Sequence, residues 1–173
     1  MTKMKVYEIP EPVLRQQAQE VPAVTQEIQQ ILSDMLETMY ATNGVGLAGN
    51  QVGLLKRLVV IDCANKDEAP EPIKMVNPKI IAHSEEKVLH NEGCLSIPKE
   101  YADVERWAEV TVQYLDENGQ LTTKHGTGLL AIAFQHELDH LEGVLFIDHI
   151  SKLKRDKMIK HLEKRRKRES EDE

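Results

Sequence analysis

The sequence predicts an α+β fold, with antiparallel strands wrapped around one central helix and a further helix at the C-terminus. Three observations predict it. Residues 25–42 carry apolar side chains at Ile28, Ile31, Leu32, Met35, Leu36 and Met39, a stripe with helical period. Glu109 to Tyr114 alternates, Asn118-Gly119 marks a tight turn, and Leu121 to Lys124 returns, which reads as a β-hairpin. Residues 129–142 form a second helical run that stops at Gly143 and holds His136 and His140 four residues apart. That spacing places two imidazoles on one face, one turn apart, so the central helix is expected to bear a metal.

The remaining elements follow in chain order. The first helix leads into Gly44 and Gly46, a loop where the backbone can approach other groups closely. Arg57 to Ile61 reads as a strand, and so does Ile73 to Val76, which Asn77-Pro78 is expected to stop. Ser151 is a plausible N-cap for the last helix, whose inner face would use Leu153, Ile159 and Leu162. Residues 1–151 are expected to be a metal-dependent catalytic domain, and 152–173 a basic helix with an acidic tail belonging to the same single domain.

Composition sets limits. The chain has 173 residues, 40% of them hydrophobic, yet no uninterrupted apolar run nears the ~20 residues that cross a bilayer. The first eight residues lack the apolar core and small-residue cleavage site of a secretory leader. Two cysteines far apart argue for a reducing compartment, so a cytoplasmic protein without membrane or DNA partners is expected. Charge is uneven: residues 1–151 carry a net −11, residues 152–168 a net +8 and the last five −4, within a total of −7. A basic segment on an acidic body fits a nucleic-acid contact or a solvated helix whose cations suit its C-terminal dipole.

The run His136-Glu137-Leu138-Asp139-His140 carries the chemistry. Glu137 follows the first histidine and is placed to take a proton from a metal-activated water. A third protein ligand is needed. The position where a metzincin carries its third histidine is Phe146, so that pattern fails. Glu163, the only glutamate at the distance a thermolysin-like site uses, sits among Lys160, Lys164, Arg165 and Arg166. Cys94, in Glu92-Gly93-Cys94-Leu95-Ser96, is the strong upstream candidate, giving Cys94, His136 and His140 with a fourth position open. Asp139 faces away from the histidines and reads as a supporting or salt-bridging group. Cys63 reads as a packed or partly exposed thiol, and His83, His90, His125, His149 and His161 as solvated or structural.

Three ordered runs, Gly44-Val45-Gly46-Leu47-Ala48-Gly49-Asn50-Gln51, Glu92-Gly93-Cys94-Leu95-Ser96 and His136-Glu137-Leu138-Asp139-His140, together resemble the signatures of the peptide deformylases. The resemblance covers nearly the whole chain. Gly49 and Asn50 depart from the alanine and frequent proline of the family, which bears on loop rigidity. The resemblance implies a metallohydrolase that removes the N-formyl group from the formylmethionine of nascent polypeptides. It further implies Glu137 as the acid–base, and Gln51 and the Leu95 N–H as donors to the oxyanion. Gly46, Val45, Gly93, Leu129, Ile132 and Ala133 are the expected substrate contacts. The metal would be Fe²⁺, one per chain, with Zn²⁺ or Ni²⁺ able to replace it, although ligand type alone favours Zn²⁺. A monomer is expected, with the basic helix meeting the ribosome near the exit tunnel. The alternatives are a metallopeptidase built on the same helix and a non-catalytic ribosome-associated homologue.

Overall fold

The computed structural model describes residues 3–172. Thr25 caps the first helix, its side chain accepting from the Ile28 N–H, and α1 runs Gln26–Ala41. The apolar stripe points inward as its period requires, with Ile28, Leu32, Met35 and Met39 buried against Leu47, Leu58, Val60 and Val76. The strands are β1 (Gly46–Ala48), β2 (Leu58–Ile61), β3 (Ile73–His83), β4 (Lys87–Cys94), β5 (Ile97–Trp107), β6 (Glu109–Leu115) and β7 (Leu121–Thr127). They form two antiparallel sheets, one ordered β1-β2-β3-β6-β7 and the other the β4–β5 hairpin. The central helix α2 (Gly128–Leu141) packs against β1, β2, β6 and β7 of the first sheet and β5 of the second. Its Ala131, Phe134, Leu138 and Leu141 fill the main core with Val59, Ile61, Met75, Val110 and Val112.

Two expectations need correction here. The strand begun at Ile73 does not end at Asn77-Pro78 but continues to His83, with a register shift between Val76 and Lys79. Asn77 takes φ 52° at that bulge and its side chain holds the Val21 backbone, accepting at 2.8 Å and donating at 2.9 Å. Pro78 therefore sits where the ladder is already broken, and its missing N–H costs no pairing. The β4–β5 hairpin had no counterpart in the sequence pattern. The exposed Lys87, Val88 and Leu89 mask its alternation, and its inner face carries charged Glu92 and Arg106.

Gly143 ends α2 at φ 75°, with the Val144 N–H bonded to Asp139 O and the Gly143 N–H to His140 O, a Schellman closure. A side chain at residue 143 would also collide with the Arg15 carbonyl. The last helix, α3 (Lys152–Glu171), starts at Ser151, whose Oγ accepts from the Lys154 N–H. Leu162 is its buried anchor and Met158 and Ile159 pack beside it, but Leu153, expected on the same face, is 82% exposed. At ~3.6 residues per turn, positions 153 and 162 are half a turn out of phase, so both cannot face the core.

The two leucines should separate in stability. Leu162→Ala should cost about 2–4 kcal/mol, whereas Leu153→Ala should stay within about 0.5 kcal/mol, read from urea midpoints. Equal losses would contradict this packing of α3.

Candidate active site

The metal-ligand geometry arises where β4 lies alongside α2. The hairpin turn at Leu95-Ser96, with Cys94 paired to Ile97, brings the Cys94 thiol against the helix. Its Sγ lies 3.4 Å from His140 Nε2, and His140 Nε2 lies 3.3 Å from His136 Nε2. All three ligand atoms fall within 4.8 Å of one another. Bonds of about 2.1 Å to nitrogen and about 2.3 Å to sulfur set tetrahedral edges of about 3.4 Å and 3.6 Å. The donor set therefore fits one ion closely. His136 and His140 are buried, which keeps water from competing for their lone pairs.

Supporting groups fix the first imidazole. His136 Nδ1 bonds Glu92 Oε1 at 2.9 Å, and with the carboxylate accepting, Nε2 keeps its lone pair for a metal. Glu92 is held in turn by Arg106, Nε to Oε2 at 2.7 Å and Nη2 to Oε1 at 2.8 Å. Burial alone would raise the Glu92 pKa, but the hydrogen bonds from Arg106 and His136 outweigh it and bring it down to about 2. Arg106 Nη1 also reaches Asp139 Oδ2 at 2.7 Å, and His149 Nε2 shares that oxygen at 2.8 Å. Asp139 thus salt-bridges on the side of α2 away from the cluster, as the sequence pattern indicated, and His149 joins it there.

Beside the cluster opens a cleft of about 500 Å³. Glu137 lines it, with Oε1 buried and without a hydrogen-bond partner among the described residues. Burial pushes the Glu137 carboxyl up to about 7. Gly46 is needed opposite it, because a Cβ there would fall 2.5 Å from Glu137 Oε2. Gln51 is oriented by its carbonyl end, Oε1 accepting from the Ala48 N–H at 3.0 Å. Its Nε2 is thereby turned toward Ser96 Oγ at 3.2 Å and Cys94 Sγ at 3.6 Å. Asn50 beside it is fully buried and donates to the Gln16 carbonyl at 2.7 Å, so this loop is tethered by a side chain.

All the remaining expected contacts reach the same cleft. Leu95, Gly93, Ile132 and Ala133 line it, and Val45 and Leu129 form part of its mouth at 45% and 43% exposure. Cys63 stands apart, partly buried, its thiol pushed up to about 11 by burial and by Asp62.

The model of the polypeptide deformylase family matches residues 3–156. The chain belongs to that family. A peptide deformylase of Rhizobium meliloti (strain 1021) is 48% identical over 164 residues, covering 95% of this chain and 94% of its own. One from Agrobacterium fabrum is 49% identical over 164 residues, covering 95% and 96%. The crystal structure of peptide deformylase from Ehrlichia chaffeensis matches with a TM-score of 0.93 at 37% identity, covering 97% of this chain and 99% of that one. The same organism's protein in complex with actinonin gives 0.91 at 39% identity, covering 95% and 98%. In deformylase terms, the α+β expectation and the family resemblance agree with these matches.

Three residues around the site had been given no role from the sequence: Glu92 lies inside a quoted motif, Ser96 partners Gln51 and Arg106 holds Glu92. His90, expected to be solvated or structural, lines the cleft. Alternation along β4 is the signal that could have found Glu92 and His90, since 90, 92 and 94 share one face of a strand.

Removing Arg106 tests the support. Arg106→Ala leaves the Glu92 carboxylate buried without its bidentate partner, and stability should fall by about 3–5 kcal/mol. Metal affinity should weaken about 10–100-fold as His136 loses its fixed orientation, measured by chelator competition. Unchanged metal affinity in a folded variant would contradict this chain of support.

Proposed function

We propose that the chain hydrolyses the N-formyl group of N-terminal formylmethionine on nascent polypeptides, with Cys94, His136 and His140 holding the metal and Glu137 as acid–base. The observation that carries this reading is the buried, partnerless Glu137 oxygen beside the three ligand atoms. When bound, the metal supplies a water acidic enough to ionise near neutral pH and polarises the formyl carbonyl. Glu137 accepts the water's proton on its carboxylate and returns it to the leaving amine. As the formyl oxygen gains charge, the Gln51 Nε2–H and the Leu95 N–H donate to it. Val45, Leu129, Ile132 and Ala133 hold the methionine side chain, while Gly46 and Gly93 let the peptide backbone lie close. Formate and a free α-amine leave. A metallopeptidase on this helix would take its third ligand from a later glutamate or histidine, whereas among the described residues the third member of the cluster is Cys94. Glu137 lines the cleft and Gln51 is held by its carbonyl end, which favours a catalyst over an inert homologue.

The metal assigned is Fe²⁺, one per chain, with Zn²⁺ or Ni²⁺ as substitutes, on the strength of family membership over ligand type. Protein purified without oxygen should carry about one iron per chain and release formate from a formyl-Met peptide. Glu137→Gln should keep the metal and lose about 10²–10⁴-fold in turnover. Near wild-type formate release by the metal-loaded variant would overturn the assignment of the base.

We infer that a monomer in the cytoplasm meets anionic ribosomal surface through α3. Among the described residues no helix is long and apolar enough to cross a membrane, and both cysteines are unpaired. The helix divides its cations. Arg165 bonds the Pro98 carbonyl and Glu100, and Arg166 bonds Glu8, so these two serve the fold. Lys157, Lys160, Lys164 and Lys167 are exposed. Changing those four lysines to Glu should abolish co-sedimentation with ribosomes at low salt and leave hydrolysis of a short formyl-Met peptide unchanged. Ribosome association that survives the change would return α3 to a purely structural role.

A further inference from the structure

The support of His136 does not stop at Arg106. While Nε and Nη2 of Arg106 clasp Glu92, its third nitrogen, Nη1, reaches Asp139 Oδ2 at 2.7 Å. The same oxygen meets His149 Nε2 at 2.8 Å. A carboxylate oxygen held by a guanidinium can only accept, so Nε2 carries the proton and donates. His149, Asp139, Arg106, Glu92 and His136 therefore form one line of hydrogen bonds of 2.7–2.9 Å that ends on a metal-ligating imidazole.

The outer end decides whether that line holds. Arg106 is only 4% exposed, and losing Asp139 would leave this buried cation gripped along one edge alone. Asp139 has room to leave, because it is partly exposed and lines, with Arg106 and His149, a second cleft of about 480 Å³. A carboxylate that can turn to water gains little from a single ion pair. His149 closes that route by bonding the same oxygen from another element. Its own placement is firm: it ends the 3₁₀ turn Phe146–His149, where Phe146 and Ile147 are buried and Asp148 is bonded by Arg15 and the Leu145 N–H.

We propose that His149 is a positioning residue of the metal centre: by pinning Asp139 on Arg106 it fixes the Glu92 carboxylate and, through it, the His136 imidazole. This rests on Cys94, His136 and His140 holding the metal. His149 touches neither metal nor substrate, and it acts on how steadily His136 Nε2 is aimed.

The test uses Co²⁺ as the probe, with affinity read by chelator competition and the thiolate-to-cobalt charge-transfer band by absorption. His149→Leu should weaken Co²⁺ binding about two- to tenfold, less than loss of a direct partner of a ligating histidine, and should shift or broaden the band. His149→Gln carries an N–H equally far along its side chain and should restore both. Asp139→Ala alone should weaken binding at least as much, which reads the same link should the leucine variant fold poorly. Adding His149→Leu to Asp139→Ala should change nothing further, because the pin then has nothing to hold. A residue serving stability alone would lower the urea midpoint and leave affinity and band where they were in both single variants, and that result overturns the proposal. A full further loss of affinity in the double variant overturns it too. Wild-type protein that binds no Co²⁺ overturns the metal assignment and this role together. Binding that follows the expected pattern without formate release removes the reaction assignment and leaves His149 its role.

Discussion

Glu92 sits between the Arg106 fork and His136, almost completely buried, and the geometry of the site depends on it. A carboxylate in that position is expensive unless every lone pair is used, and here two cations or donors from different elements use them. Arg106 comes from β5, Glu92 from β4 and His136 from α2. The pair therefore does more than neutralise itself: it fixes how far the hairpin slides along the helix. Cys94 lies two residues beyond Glu92 on the strand, so the position of the thiol relative to His140 is set by the same contact. The positions of thiol and imidazoles thus follow from one salt bridge.

Much of this was legible in the sequence where a residue's role depends on spacing along its own element. His136, Glu137 and His140 are one turn of one helix, and the apolar stripe of α1 obeys the same rule. Roles that depend on contacts across elements were harder to read. Arg106 looks like any charged strand residue until β5 is laid beside β4. Glu92 and His90 lie on a strand whose outer residues are exposed and whose inner ones are polar, so no hydrophobic alternation announces it. Pro78 reads as a stop, but the clasp of Asn77 on Val21 makes it a bulge in a continuing strand. Leu153 was misplaced by phase: an apolar side chain on a highly charged helix attracts the eye, yet geometry puts it opposite Leu162.

The division of labour on α3 follows from the same distinction between local and crossing contacts. Ten basic residues between 152 and 168 look equivalent as a charge run. In three dimensions Arg165 and Arg166 use the planar fork of the guanidinium to tie a carbonyl and two carboxylates, while the lysines remain solvated. Arg165 and Arg166 face the body and are bonded to it, whereas Arg168 stays exposed like the lysines.

The Arg165 contact also carries a consequence for how the cleft is held. Its partners, Pro98 and Glu100, belong to the segment that continues from the Cys94 hairpin and borders the cleft. The hairpin ladder holds this border from the front and the last helix fastens it from behind, so one wall of the cleft is braced by a residue far in sequence from the ligands.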